Sequence, residues 1–366
     1  MKTTKGVKVL VTLPLLLFPL VCDAKVTGQC GNCHTMHNSQ GGAAVARVLD
    51  MVDGSMDLSS TPNEALLNTD CIGCHQGSNS LVNDRIVTPY VLRTSPPTYD
   101  STGTEGTTTT LAGGNFYWVS SGQEATGHNV KGITSPDVRH GNLPPGGADL
   151  TTQLTCAGTY GCHGDRTVSS QIQAMRRSHH ANDMDSWKDG STLAKSYRFL
   201  YSVQGLEDKK YEFQPASNQH NKYYGIDRTL ETQNDVSTIS SLCGKCHGDF
   251  HQGSGKIAAG TFGSGVWLRH PTDFDMGRAA TTTEYAAYNG GSGANNVYSV
   301  ISPVATASKT AAINSTVYTT ADDAIVMCLS CHRAHGTPYP AILRWDYKSW
   351  PGAGYNGCAV CHTTKD

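Results

Sequence analysis

The sequence predicts an irregular, loop-rich fold with short helices and few short strands, in which something other than side chains fills most of the core. Three observations predict it. Only 38% of the 366 residues are hydrophobic and 39 are glycine, so a chain long enough to bury a core lacks the apolar material to fill one. Long Gly/Thr/Ser-rich stretches such as Gly106-Thr107-Thr108-Thr109-Thr110 separate the patterned segments and read as loop. Cys-x-x-Cys-His occurs five times, at Cys30/Cys33/His34, Cys71/Cys74/His75, Cys243/Cys246/His247, Cys328/Cys331/His332 and Cys358/Cys361/His362, and a stretched sixth copy runs from Cys156 to Cys162 and His163.

That spacing is the attachment pattern of c-type haem. One helical turn brings two thiols to the two vinyl groups of one porphyrin, where they become thioethers, and the next residue lies under the iron as proximal ligand. Zinc ribbons or disulfides also use paired cysteines, but neither demands a histidine directly after the second. With 15 histidines in 366 residues, five such hits have a chance on the order of one in ten million. The stretched copy must loop five residues out between its thioethers, with a free thiol pair or disulfide as its alternative. Six haem c groups are expected, covalently held by Cys30, Cys33, Cys71, Cys74, Cys156, Cys162, Cys243, Cys246, Cys328, Cys331, Cys358 and Cys361, with His34, His75, His163, His247, His332 and His362 as proximal iron ligands. They supply the missing core of an irregular, loop-rich multihaem cytochrome.

Residues 1–24 read as a secretory signal peptide, with Lys2, Lys5 and Lys8 before an apolar run from Val9 to Val21. That run is too short for a committed membrane span. Cleavage after Ala24 fits, with a lipid-modified Cys22 as the alternative. Cys22 is the thirteenth cysteine; the other twelve are consumed by six haem sites, leaving none for disulfides. Losing three lysines and Asp23 takes the net charge from −2 to −4. No basic run points to nucleic acid.

Residues 25–366 read as a single hexahaem unit with no internal domain boundary. Thr61-Pro62-Asn63-Glu64 looks like a capped helix start leading to Cys71. Phe116–Val119 patterns as a strand, Ser169 to His180 as a helix, and Val297–Ile301 and Thr316–Thr320 as strands. Asp235 or Ser237 would cap a helix into Cys243, and Asp322-Asp323 would open one into Cys328.

Nine histidines remain for the far face of six irons. An iron with two imidazoles has no open position and passes single electrons. His37, His251 and His335 follow a proximal histidine by three or four residues on one helix face, so each must serve a different haem. With His128, His180 and His270 they form the expected distal set. His179, adjacent to His180, and His220 are alternates; His140 and His220 are the expected spares.

The motifs with Gly127-His128-Asn129, Leu268-Arg269-His270-Pro271 and Cys328-Leu329-Ser330-Cys331-His332-Arg333-Ala334-His335 resemble the OmcS-type hexahaem cytochromes of metal-reducing bacteria, in motif order from end to end. The stretched Cys156–His163 motif departs from the regular spacing. The resemblance implies six stacked haems, each with two histidine ligands, in a head-to-tail extracellular homopolymer. It also implies that His37 ligates the fifth haem (Cys328, Cys331, His332) of the adjacent subunit. The implied function is electron transfer, not catalysis, with other cytochromes and extracellular electron acceptors as partners at the outer cell surface. The alternatives are a monomeric periplasmic or outer-surface carrier and a multihaem reductase with one five-coordinate iron. Cys-x-x-Cys-Lys, the unusual proximal-lysine motif of some such reductases, is absent.

Overall fold

In the computed structural model, the described residues are 28–50, 55–99, 108–181, 186–230, 233–251, 270–279, 284–288, 297–313, 315–317, 322–349 and 356–364. Their secondary structure is sparse and local. The longest helix among them is Ile239–Gly244, six residues, and no described helix is long and apolar enough to cross a membrane. Strands pair in four small sheets: Arg47–Leu49 with Met56–Leu58, Thr155–Ala157 with Gly161–His163, Trp187–Lys188 with Gly205–Leu206 and Lys222–Tyr223, and Phe274–Asp275 with Ile325–Val326. The expected loop-rich fold with short helices at the haem motifs is what the chain adopts.

The apolar side chains gather in several separate clusters instead of one core. One joins Tyr197, Val203, Tyr223, Ile239, Leu242 and Ile325. A second, around Tyr298, Val300, Val326 and Trp345, takes in Cys331 and Cys361. A third, with Ile72, Leu92, Phe116 and Val119, takes in Cys156. Haem cysteines lie at the edges of two of the three. This is the arrangement expected where macrocycles, and not side chains, bridge the clusters.

Local chemistry overrides several sequence expectations. Phe116–Val119 is not a strand: Tyr117–Ser120 is a helical turn, held by the Ser120 N–H donating to the Phe116 carbonyl. The helix expected from Thr61 breaks into a 3-10 turn, Glu64–Leu66, and a separate helix, Cys71–His75. Asp70 caps the second by accepting from the Gly73 N–H at 2.8 Å. Thr238, not Asp235 or Ser237, caps Ile239–Gly244 through a bond from the Ser241 N–H. The stretch after Asp322-Asp323 is the strand Ile325–Val326, followed by a 3-10 turn at Cys328–Ser330. Of Ser169 to His180 only Gln171–Ala174 is α-helical, capped by Ser170. Val297 and Thr316 meet only as an isolated bridge, and residues 318–320 lie outside the described residues. So do the signal segment with Cys22 and the Trp267–Arg269 part of the His270 loop.

Candidate haem sites

The stretched motif has a structural solution that its spacing concealed. Thr155–Ala157 and Gly161–His163 run parallel, with Thr155 opposite Gly161 and Ala157 opposite His163. Cys156 and Cys162 therefore stand level on neighbouring strands, which lie about 4.8 Å apart in a sheet. Gly158, at φ +83°, turns the chain between them; a Cβ there would sit 2.6 Å from the Val168 carbonyl oxygen. Two thiols side by side, followed by His163, reproduce what one helical turn gives elsewhere.

Five of the six proximal histidines face a second imidazole. Ring centroids are 6.2 Å apart for His34 and His180, 6.3 Å for His75 and His179, 6.3 Å for His163 and His335, 6.1 Å for His247 and His128, and 6.2 Å for His362 and His270. Two metal–nitrogen bonds of about 2.0–2.1 Å plus two ring-centre offsets of about 1.1 Å give roughly 6.3 Å. The spacing fits one haem iron held between each pair. His332 is the remaining proximal ligand, and it is exposed and faces no imidazole among the described residues.

The second ring nitrogen of each proximal histidine is fixed by a bond to its Nδ1, which leaves Nε2 for a metal. The acceptors are carbonyl oxygens of Ala65 for His34 (3.1 Å), Pro89 for His75 (2.8 Å), Arg198 for His163 (3.0 Å), Pro145 for His247 (2.7 Å) and Ala341 for His332 (2.8 Å). His362 differs: its Nδ1 meets the Glu284 carboxylate at 2.9 Å. On the distal side His128 Nδ1 is 2.7 Å from the Ala334 carbonyl. Burial favours the neutral imidazole, the form that binds metal: it pushes His128 down to about 4 and His335 to about 3, and lowers His75 and His163. It also keeps thiols protonated, Cys74 at about 11 and Cys331 and Cys361 at about 12.

The first, third and fifth motifs share one backbone device. A 3-10 turn carries two successive residues in the left-handed region: Ala65 and Leu66, Arg198 and Phe199, Ala341 and Ile342, with φ between 48° and 58°. Such backbones cost about 1–3 kcal/mol per residue and persist only where the surroundings hold them. The first carbonyl of each pair accepts from the proximal imidazole. The second accepts from the N–H of the residue after it: Thr35 at 2.8 Å, Gly164 at 2.8 Å and Arg333 at 3.0 Å. At the second and fourth motifs a proline carbonyl takes this place instead. The likeness of Ala65-Leu66-Leu67-Asn68 to Ala341-Ile342-Leu343-Arg344 is the sequence trace of this clamp, and the sequence reading missed it.

The thiols of successive motifs are neighbours in chain order. Cys33 lies within electrostatic reach of Cys74, Cys162 of Cys246, and Cys331 of Cys358, while the Cys71 thiol hydrogen-bonds with that of Cys156 and the Cys243 thiol with that of Cys328. The six cysteine-pair motifs thus follow one another in one series.

Two expected placements need revision. His251, expected as a distal ligand, has a carboxylate as its partner instead. It is buried and its Nε2 is 2.7 Å from the Asp273 carboxylate, because its helix, Gly248–His251, packs against Gly244. Its place goes to His179, an alternate in the sequence reading: adjacent on a tight turn, His179 and His180 face two different proximal rings. His220 is a spare, stacked on Tyr298 at 3.5 Å with Nδ1 on the Asn221 carbonyl. His140, the other spare, is exposed, and so is His37, whose Nδ1 lies 3.3 Å from the Ser39 hydroxyl.

Among known proteins, residues 321–366 match the family model of the doubled CXXCH motif. The C-type cytochrome OmcS of Geobacter sulfurreducens (strain ATCC 51573 / DSM 12127 / PCA) is 27% identical over 87% of this chain and 78% of its own length. Two solved structures also align. The Outer Membrane Cytochrome S filament from Geobacter sulfurreducens does so with a TM-score of 0.42 and 19% identity over 88% of this chain and 84% of that one. The OmcS nanowires of the same organism give 0.41 and 18% over the same shares. With its recurrent attachment motifs and this similarity along most of its length, the chain is similar to multihaem c-type cytochromes of the OmcS type.

Proposed function

We propose that the chain carries six haem c groups in one series and serves as the repeating subunit of an extracellular filament that conducts electrons to outside acceptors. The observation that carries the reading is the count of facing imidazoles. Five proximal histidines have a partner ring at iron-bridging distance, and one proximal histidine, His332, and one exposed histidine, His37, are left over. An exposed donor at one place and an open acceptor at another are what a head-to-tail polymer needs. Haem supplies one-electron exchange at the iron. The chain's residues would hold the rings, fix their tautomers through Nδ1, and close both faces at five sites, the remaining face at His332 falling to His37 of the next copy. Order along the thiol series makes each site adjacent to the next, and His37 on the next copy's fifth site would continue the series across the joint.

His37→Ala tests this. The variant should be secreted with six haems, form no filaments by electron microscopy, and resemble the dissociated wild-type subunit in having one high-spin haem that binds carbon monoxide. Filaments of normal length with a wholly low-spin spectrum would overturn the cross-subunit ligand. A monodisperse wild-type monomer, low-spin throughout, would favour the single-carrier reading instead.

A further inference from the structure

The three clamps share a backbone but differ at the residue that follows it. In the first clamp Asn68 donates its N–H to the Cys33 carbonyl at 2.8 Å and its Nδ2 to the Gly31 carbonyl at 3.0 Å. In the fifth-motif clamp Arg344 makes the matching bonds, N–H to Cys331 at 2.9 Å and Nε to Leu329 at 2.6 Å. Its Nε also reaches the His332 carbonyl at 3.1 Å. The third clamp has Tyr201 there, exposed. One position therefore carries a neutral amide, a phenol and a cation at three equivalent sites.

Arg344 is only 1% exposed. It forms no ion pair with any described residue, and its Nη2 has no hydrogen-bond partner. Its contacts are carbonyl oxygens, Val300 at 3.4 Å among them. An arginine stays charged throughout the physiological range, and a buried charge acts through a low effective dielectric that screens it little. A guanidinium is thus fixed against the main chain of the proximal ligand at one haem site and is missing at its two counterparts.

We propose that Arg344 is a positioning charge that sets the fifth haem at a higher reduction potential than its neutral-clamp counterpart, the first haem. The proposal rests on the reading of Cys328, Cys331 and His332 as a haem site. A fixed positive charge stabilises the more electron-rich state of a nearby iron, so the fifth site is the better electron acceptor of the two. It is also the site whose proximal histidine faces no second imidazole among the described residues. An electron crossing from the next copy would arrive at, or depart from, a site biased toward the reduced state.

The first clamp supplies the test, because Arg344→Asn installs the residue that already makes the same two carbonyl bonds at Asn68. Spectroelectrochemical titration of the assembled protein should show one of its one-electron steps shifted down in Arg344→Asn by at least a tenfold change in the reduced-to-oxidised ratio, about 59 mV for one electron. Arg344→Lys, which keeps the charge and loses the fork, should stay near wild type. Asn68→Arg should raise one step. Curves for Arg344→Asn that superimpose on wild type, or equal shifts for Asn and Lys, would overturn the charge and leave a packing role only. Intact mass separates the two levels. A wild-type protein lacking the haem on Cys328 and Cys331 would remove the site itself, whereas six haems with unmoved potentials remove Arg344 alone.

Discussion

Gly113 stands where a single methyl group should open one iron. A Cβ built on it would lie 2.8 Å from His335 Nδ1, 2.9 Å from Cε1 and 3.4 Å from Cγ. Carbon contacts settle at about 3.5–4.0 Å, so in Gly113→Ala the imidazole must retreat by roughly 0.7–1 Å or the backbone must move. The backbone is tied, since the His335 N–H donates to the Gly113 carbonyl at 2.7 Å, and Phe116 packs against the ring at 4.8 Å. Metal–ligand distances hold to within about 0.2 Å, so a displacement several times larger breaks the bond across from His163. The overpacking itself costs about 1–3 kcal/mol. The expected protein keeps all its haems, and one, the third, becomes high-spin and binds carbon monoxide. Gly248→Ala is the control, as nothing lies within 4 Å of a Cβ there. A Gly113→Ala spectrum that stays wholly low-spin would refute the His163–His335 pairing.

His251→Ala should leave the haem spectrum unchanged from wild type while lowering stability by about 1–3 kcal/mol, because it removes the buried partner of Asp273; denaturant unfolding and the visible spectrum read the two effects separately. Asp84 is held down to about 2 from 3.8 chiefly by its bonds to Lys209 and Lys210. Since its folded value is depressed, its contribution is present above about 3.8 and is lost as pH falls toward 2. The group is fully exposed, so Asp84→Asn should flatten only slightly the acid limb of stability in that window, and a steep loss at neutral pH would contradict the assignment.

What the sequence made legible was chemistry tied to residue type. Cysteine pairs with a following histidine marked the candidate attachment motifs, and low apolar content pointed to a core not made of side chains alone. What it hid were the partners contributed by backbone. Ala65, Pro89, Pro145, Arg198 and Ala341 act through carbonyl oxygens that every residue possesses, so no side chain marks them. His251 misled for a related reason. Its spacing from His247 is the same helical spacing that suggests a ligand for another haem, and only the distant Asp273 diverts it. The distal imidazoles come from turns and loops, and in such segments spacing says little about direction. The strand expected at Phe116–Val119 failed because the Asn115 side chain accepts the Tyr117 N–H, starting a helical turn that β-propensity does not anticipate.

The ligand series and the thiol series run differently through the chain, and the difference bears on how the molecule holds together. Thiols follow sequence order, so attachment alone would permit three consecutive two-site units, as the doubled motif at residues 321–366 suggests. The facing imidazoles do not respect such units. His180 and His179, which lie after the third motif, return to the first and second sites, and His335 returns from beyond the fifth motif to the third. His128 precedes the third motif and serves the fourth. Each of the first four sites therefore closes only when a segment from outside its own motif pair arrives. The strained left-handed pairs of the clamps point the same way, because their bonds are satisfied only by a proximal histidine already in position. A chain whose described residues form short helices and separate apolar clusters gains cooperativity from these crossings. The physical expectation is one folding unit whose stability resides in metal–imidazole bonds spanning distant segments, more than in any local element.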